Sequence, residues 1–410
     1  MASFLYSGAL VALCVVQFVA PVGATHGSPQ QAEDNTFEQP LPKTGCLPGP
    51  LKLESHPSCV STMGNNDASW APWTHRPHCL DNFCVFTNAD FQGPDRGVSV
   101  IDMQRPNTSN VTLAVASIAE LLSAAPLAPE AIDGKKSPPY ELRDIPGKGI
   151  GVVATRKISR GQVLMIDYAA VVADAQFPSR VKRKQGSQLL RQAVERLPAA
   201  DEILNLARSS PDPDTVSVAE DVMKTNSFTV EIAGKDYMAL FPRIARMNHA
   251  CKPSTLTRFN STTLSNIVYA FHDIQPEEEL TISYSPFGLA SAARHTTLSK
   301  WGFTCTCSLC ASSPAVLAAS DVRRDRISAL SKKVVELVQR GGEGNFKAAV
   351  ELYAQAVADV KEEGLVPHLG GHYGVLGQLW GAAGDGLKAG EWIKRGREEG
   401  ERFDRAGAAA

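Results

Sequence analysis

Apolar positions change their spacing along the chain, and the changes divide it. From Ala9 to Ala20 the sequence is apolar except for Gln17. After that, periodicity disappears. Trp70, Trp73, Phe83 and Phe86 are scattered among Pro, Gly, Ser and Asn, so irregular structure is predicted over residues 25–105. A short helix is predicted near Leu113–Leu122, inside a linker over 106–139 that carries Pro126, Pro129 and Lys135-Lys136-Ser137-Pro138-Pro139.

From Tyr140 the texture becomes β-like. Gly151–Thr155 and Val163–Tyr168 are short strand candidates, separated by the turn signal Ser159-Arg160-Gly161. Helical spacing takes over across 179–208, with Leu189, Leu190, Ala193 and Leu197 on one face. Ile203, Leu204 and Ala207 follow after Pro198. Strand character returns at Phe228–Ile232, Thr263–Phe271 and Glu279–Tyr284. Beyond residue 313 the pattern is helical to the end. Val334, Leu337 and Val338 form one stripe, and Phe346, Val350, Tyr353, Ala354 and Val357 another. Residues 368–381 and 385–403 predict a further helical pair, similar to tetratricopeptide hairpins but without their strict consensus; a plain bundle is the rival. The fold class predicted is therefore mixed α+β with an all-α C-terminal region over 313–410.

Composition narrows the function. Lys and Arg number 41 against 43 Asp and Glu, a net charge of -2. No global basic field exists to draw nucleic acid, so no nucleic-acid partner is expected. The N-terminal apolar run is too short for a stable membrane span. With small residues Val22 and Ala24 after it, it predicts a signal peptide over 1–24, cut after Ala24. The alternatives are an N-terminal anchor or a misassigned start. Cys46, Cys59, Cys79 and Cys84 then read as two disulfides, and sequential pairing is the simplest of three arrangements. A zinc site is the rival for those four. Sequons at Asn107, Asn110 and Asn260 fit a secreted or lumenal glycoprotein.

Three clusters carry chemistry. In Gly147-Lys148-Gly149-Ile150-Gly151 the third glycine comes too early for a dinucleotide fingerprint and runs into a strand, which excludes the nicotinamide reading. A glycine turn that lets backbone approach a ligand remains. Asn248 and His249 offer an adjacent amide and imidazole for a polar ligand. Cys305, Cys307 and Cys310 in Trp301-Gly302-Phe303-Thr304-Cys305-Thr306-Cys307-Ser308-Leu309-Cys310 supply three thiolates where zinc wants four ligands. Cys251 is the unassigned cysteine that completes the set. Disulfide pairing is the alternative, if the compartment is oxidising.

Taken in order, these clusters resemble the SET family, and look closest to fungal SET proteins and the SET-plus-MYND group, without a MYND finger. The resemblance covers 140–284, with a helical insert near 175–225 and a post-SET tail over 285–312. It implies short curved sheets with a pseudoknot. It implies an S-adenosyl-L-methionine-dependent protein-lysine methyltransferase acting on a protein lysine. Gly149, Ile150, Gly151, Asn248 and His249 would hold the cofactor, Phe303 would pack near its adenine, and Tyr284 would line the reaction centre. Zinc on Cys251, Cys305, Cys307 and Cys310 would be structural. Two positions depart from the family pattern, which usually has Ser at Ala250 and Asn at Ser254.

A second reading is an inactive secreted SET-fold protein that binds partners through its C-terminal helices. SET enzymes mostly act in nucleus or cytosol, whereas the N-terminus points to the secretory route.

Overall fold

The computed structural model describes residues 70–104, 112–123, 137–210, 217–365 and 369–404. The signal-peptide segment, Cys46, Cys59, Asn107, Asn110 and most of the linker prolines lie outside the described residues.

A six-stranded sheet organises the middle of the chain. Its strands are β1 (His78–Leu80), β2 (Phe83–Asn88), β3 (Val98–Met103), β7 (Val171–Asp174), β9 (Lys235–Leu240) and β8 (Ser227–Ile232), in the order β1-β2-β3-β7-β9-β8. β3 pairs parallel with β7, and the other pairs are antiparallel. Residues 78–103, expected to be irregular, thus form three strands. For β2 and β3 the sequence signal is lost through burial on both faces. Every residue of β2 is buried, so no polar alternation marks it as a strand. Phe83 and Val85 point into one core with Leu189, Leu190, Ala193 and Val194. Cys84 and Phe86 point into the other, with Val152, Leu164 and Val268. Each fully buried aliphatic side chain there contributes roughly 1.5–3 kcal/mol.

Two three-stranded sheets complete the β part. One has the order β10 (Thr255–Asn260), β11 (Ser265–Ala270), β6 (Val163–Tyr168). The other has β12 (Glu279–Leu280), β5 (Gly149–Ala154), β4 (Tyr140–Ile145). β11 starts at Ser265 rather than Thr263, because Thr263 belongs to the hairpin turn and bonds Ser265 through its hydroxyl. β7, β9 and β10 had no sequence signal of their own.

The helix near Leu113 is α1 (Leu113–Ser123). The long helical stretch over 179–208 is three helices: α2 (Phe177–Arg180), α3 (Arg183–Glu195) and α4 (Ala200–Leu204). Pro198 separates α3 from α4, as a residue without a backbone N–H should. Ala207 is exposed, and Leu206 takes the buried place expected of it. α5 (Val218–Asn226) follows, its N-cap Ser217 accepting from the Glu220 N–H.

After α6 (Ser291–Leu298), α7 (Pro314–Arg340), α8 (Glu343–Glu362), α9 (Leu369–Ala382) and α10 (Gly386–Asp404) form the C-terminal region, each packing on the next. Val334, Val338, Phe346, Val350, Tyr353 and Val357 are buried together as their stripes predict. Ala354 is exposed and Ala356 is buried instead. The helices meet the β part through Arg160, which pairs with Glu399, and through Lys252, which reaches the Glu362 carbonyl. Among the described residues, no helix is long and apolar enough to cross a membrane.

Candidate active site and cysteine centre

β5 lies between β4 and β12, and its glycines pair with β4 while β12 pairs only with Val152 and Val153. Gly149 has φ +72°, a conformation that side chains resist. At Gly151 the constraint is space. A Cβ there would lie 2.6 Å from Ile145 Cγ1 and 2.9 Å from Asn248 Nδ2. Gly151 is therefore what lets the Asn248 amide lie against the strand. That amide donates to Glu279 Oε1 at 2.9 Å, and Lys148 Nζ meets Glu279 Oε2 at 2.6 Å. Glu279 thus ties the glycine turn to the Asn-His segment. Ile150 stays 44% exposed, beside this tie and free to meet a ligand.

The chain from 248 to 250 runs beside the chain from 281 to 284. Ala250 N donates to Ile282 O, and Ile282 N donates to Asn248 O, both at 3.0 Å. The strand expected over Glu279–Tyr284 ends at Leu280. Thereafter the segment bonds this Asn-His segment and Thr255 rather than a sheet. Ser254, where the family pattern has Asn, takes part: its Oγ donates to Glu279 O at 3.0 Å and accepts from Thr281 N at 2.9 Å.

His249 is buried. Its Nδ1 accepts from Tyr284 N at 3.0 Å, and its Nε2 lies 3.3 Å from Cys251 Sγ. Burial pulls the imidazole down to about 4 against the opposing charge of Cys307, and the positive charges of Arg294 and Lys148 act in the same direction as burial. A neutral ring with an Nδ1 acceptor carries its proton on Nε2.

The Tyr284 hydroxyl donates to Met247 O at 2.8 Å. Burial, with the carboxylate of Glu279 nearby, raises its pKa, so it stays protonated. Two lone pairs on that oxygen remain available. Around it stand His249, Trp301 and Phe303, with ring centroids 5.4, 5.9 and 6.2 Å from the tyrosine ring. Phe303 is 37% exposed. Trp301 is anchored by its Nε1, which donates to Thr225 O at the end of α5. The aromatic wall is thus assembled from the tail, the Asn-His segment and the helical insert.

Cys251, Cys305, Cys307 and Cys310 converge, with all four sulfurs within 4.8 Å of one another. Cys251 Sγ is 3.8 Å from Cys305 Sγ and 3.6 Å from Cys310 Sγ. A zinc tetrathiolate with bonds of about 2.3 Å has sulfurs roughly 3.8 Å apart, so the donor set and spacing fit that ion. Hydrogen bonds from Cys251 and Cys305 favour the Cys307 thiolate, while Cys251 is pushed up. Without a cation the four cannot ionise together. None of the four is disulfide-bonded. Cys79 and Cys84 are, directly across the β1–β2 pair.

Sequence reading thus named residues that lie together: Gly149 to Gly151, Asn248, His249, Tyr284 and Phe303 on one side, and the four cysteines immediately behind His249. It missed Glu279, Lys148 and Trp301. Trp301 lay within the motif already quoted. Glu279 was hidden as one of three consecutive glutamates, and only its pairing with Val153 decides which one turns inward.

Residues 149–285 match the family model of the SET domain. Human N-lysine methyltransferase SMYD2 is 30% identical over 117 residues, 28% of this chain and 27% of that protein. Histone-lysine N-methyltransferase set5 of Schizosaccharomyces pombe is 23% identical over 211 residues, 51% of this chain and 62% of that one. The chain therefore spans about a quarter of the length of the first relative and under two thirds of the second. Among solved structures, Rubisco LSMT bound to AdoMet aligns over 72% of this chain and 94% of that one, at 12% identity and a TM-score of 0.28.

Proposed function

We propose that this chain, which carries a SET domain over residues 149–285 and has relatives named lysine methyltransferases, is an S-adenosylmethionine-dependent protein-lysine N-methyltransferase. The observation that carries the reading is the Tyr284 hydroxyl. It is held neutral, bonded to Met247 O, and walled by His249, Trp301 and Phe303.

S-adenosylmethionine would supply an already activated methyl group, so the protein's task is alignment and desolvation. Asn248, His249 and the backbone of Gly149–Gly151 would hold it, with Phe303 against the adenine. A free lysine amine titrates near 10.4 and must lose its proton before it can attack. An apolar aromatic wall favours the neutral amine by desolvation. Since the Tyr284 O–H is already donated to Met247 O, its lone pairs can accept an amine N–H and set the direction of attack. The four cysteines would hold a structural zinc. That metal would fix Trp301 and Phe303 relative to His249 and take no part in the chemistry.

The test is calorimetry with S-adenosylmethionine, followed by labelled methyl transfer to a peptide mixture. Millimolar cofactor that gives no binding heat would sink the proposal. Binding, with transfer lost in Tyr284→Phe, would support it.

We also propose passage through the secretory route. The Cys79–Cys84 disulfide supports that reading, since such bonds persist in oxidising compartments. Alkylation of both thiols in protein taken directly from its native cells would argue against it.

A further inference from the structure

Two guanidinium groups lie buried next to the cysteine centre. Arg294 is 1% exposed and Arg324 2%. Arg294 sits on α6 one turn before Leu298, and Leu298 packs directly into the cysteine cluster. Both arginines donate to the same carbonyl, Leu289 O, at 2.7 and 3.2 Å. Arg324 also donates to the carbonyl of Cys251 itself, at 3.3 Å. Arg324 thus touches the main chain of a cysteine, and Arg294 is tied to Arg324 through Leu289 O.

Among the described residues, their charges are not fully answered. Glu363 accepts from Arg323, Arg324 and Ser320. Asp321 lies 3.7 Å from Arg294 Nη1, and its two oxygens accept from Ser291 N and Ser291 Oγ. Three guanidinium groups thus face two carboxylates. Nε and Nη2 of Arg294 are buried with no hydrogen-bond acceptor among the described residues. A desolvated cation with unused N–H groups is costly unless something negative lies nearby. The cysteine centre is such a thing: zinc with four thiolates carries two net negative charges.

We infer that Arg294, assisted by Arg324, is the counter-charge that allows the four cysteines to hold zinc as a buried dianion. This rests on the zinc reading given above. Arg294 lowers the electrostatic cost of ionising all four thiols through its buried positive charge. Arg324 adds charge and fixes the main chain of Cys251. Asp321 works against both, because it draws off part of the Arg294 charge. Arg294 is a positioning and charge-balancing residue, and touches no substrate.

The opposed signs give the test. Full-length protein is purified under reducing conditions, its zinc counted by atomic emission, and its affinity read by competition with a chromophoric chelator. Wild type should hold one zinc. Arg294→Met should weaken binding by about 10–100-fold, the usual effect of losing an outer-shell partner. Arg294→Lys, with charge but no fork, should fall between. Arg323→Met, which reaches Glu363 but neither Leu289 O nor Cys251 O, should match wild type. Asp321→Asn should bind zinc more tightly, a direction that mere destabilisation cannot produce. Zinc-loaded wild type with unchanged affinity in Arg294→Met overturns the inference. Should Arg294→Met not fold, Asp321→Asn decides alone: equal or weaker zinc binding there overturns it. Wild type that takes up no zinc overturns the zinc reading itself, a separate result.

Discussion

The backbone N–H of Tyr284 donates to Nδ1 of His249 at 3.0 Å, and the opposite nitrogen of that ring lies 3.3 Å from Cys251 Sγ. One imidazole therefore joins the candidate reaction centre to the cysteine centre. His249→Ala leaves a buried backbone N–H without its acceptor, at a cost of about 1–3 kcal/mol before any packing loss. The expected outcome is a lower urea midpoint with an unchanged m-value. Cofactor binding and zinc retention should weaken together. A variant that loses one and keeps the other would show the two sites to be independent.

Tyr284→Phe removes the donor to Met247 O and the acceptor proposed for the substrate amine. Methyl transfer should drop by about 10²-fold or more, comparable to deleting one preorganised polar contact at a reaction centre. Cofactor affinity, measured by calorimetry, should hold near the wild-type value because the ring and its aromatic neighbours persist.

Gly151→Ala places a methyl group 2.6 Å from Ile145 Cγ1 and 2.9 Å from Asn248 Nδ2. Asn248 must yield, which breaks its bond to Glu279. Overpacking of this kind costs about 1–3 kcal/mol. Thermal unfolding should come several degrees earlier, and cofactor affinity should fall. An unchanged melting point would mean that the glycine edge is looser than its contacts imply.

Glu363 is buried within the C-terminal helices and answers Arg323, Arg324 and Ser320. Burial alone would raise its carboxyl, but the bonds from Ser320, Arg324 and Arg323 outweigh it and hold the pKa below the usual glutamate value. A group depressed in the folded state stabilises fully above its unfolded pKa, about 4.3, and loses that contribution as pH falls through the folded value. Acid unfolding of the wild type should therefore include a Glu363 component below about pH 4.3. In Glu363→Gln that component should vanish. Stability at neutral pH should drop by about 3–5 kcal/mol, because a buried guanidinium loses its partner. Equilibrium denaturation at pH 7 and at a series of pH values from about 4.3 downward measures both.

Legibility from sequence followed locality. Gly149 to Gly151, Asn248-His249 and the three tail cysteines each lie within a few consecutive residues, so their chemistry could be read directly. Cys251 was reachable because zinc needs a fourth ligand and one cysteine remained. Glu279 was not, since which of three adjacent glutamates faces inward is a question of strand register. Arg294 was not, since arginine is mostly exposed and nothing local marks this one as buried. β2 and β3 were missed because a strand covered on both faces shows no alternation. Ala354 was misplaced because alanine adds too little apolar area to set the phase of a helical stripe.

The parallel pairing of β3 with β7 has a practical consequence for protein production. A fragment begun at Tyr140, the first residue where the sequence turns β-like, would strip three strands from the sheet. It would leave β7 with an open hydrogen-bonding edge lined by Val171 and Val172. Such an edge templates association with other chains. The smallest piece worth expressing therefore begins ahead of Trp73. Insoluble protein from a shorter piece would report a missing strand partner, and would say nothing about catalysis.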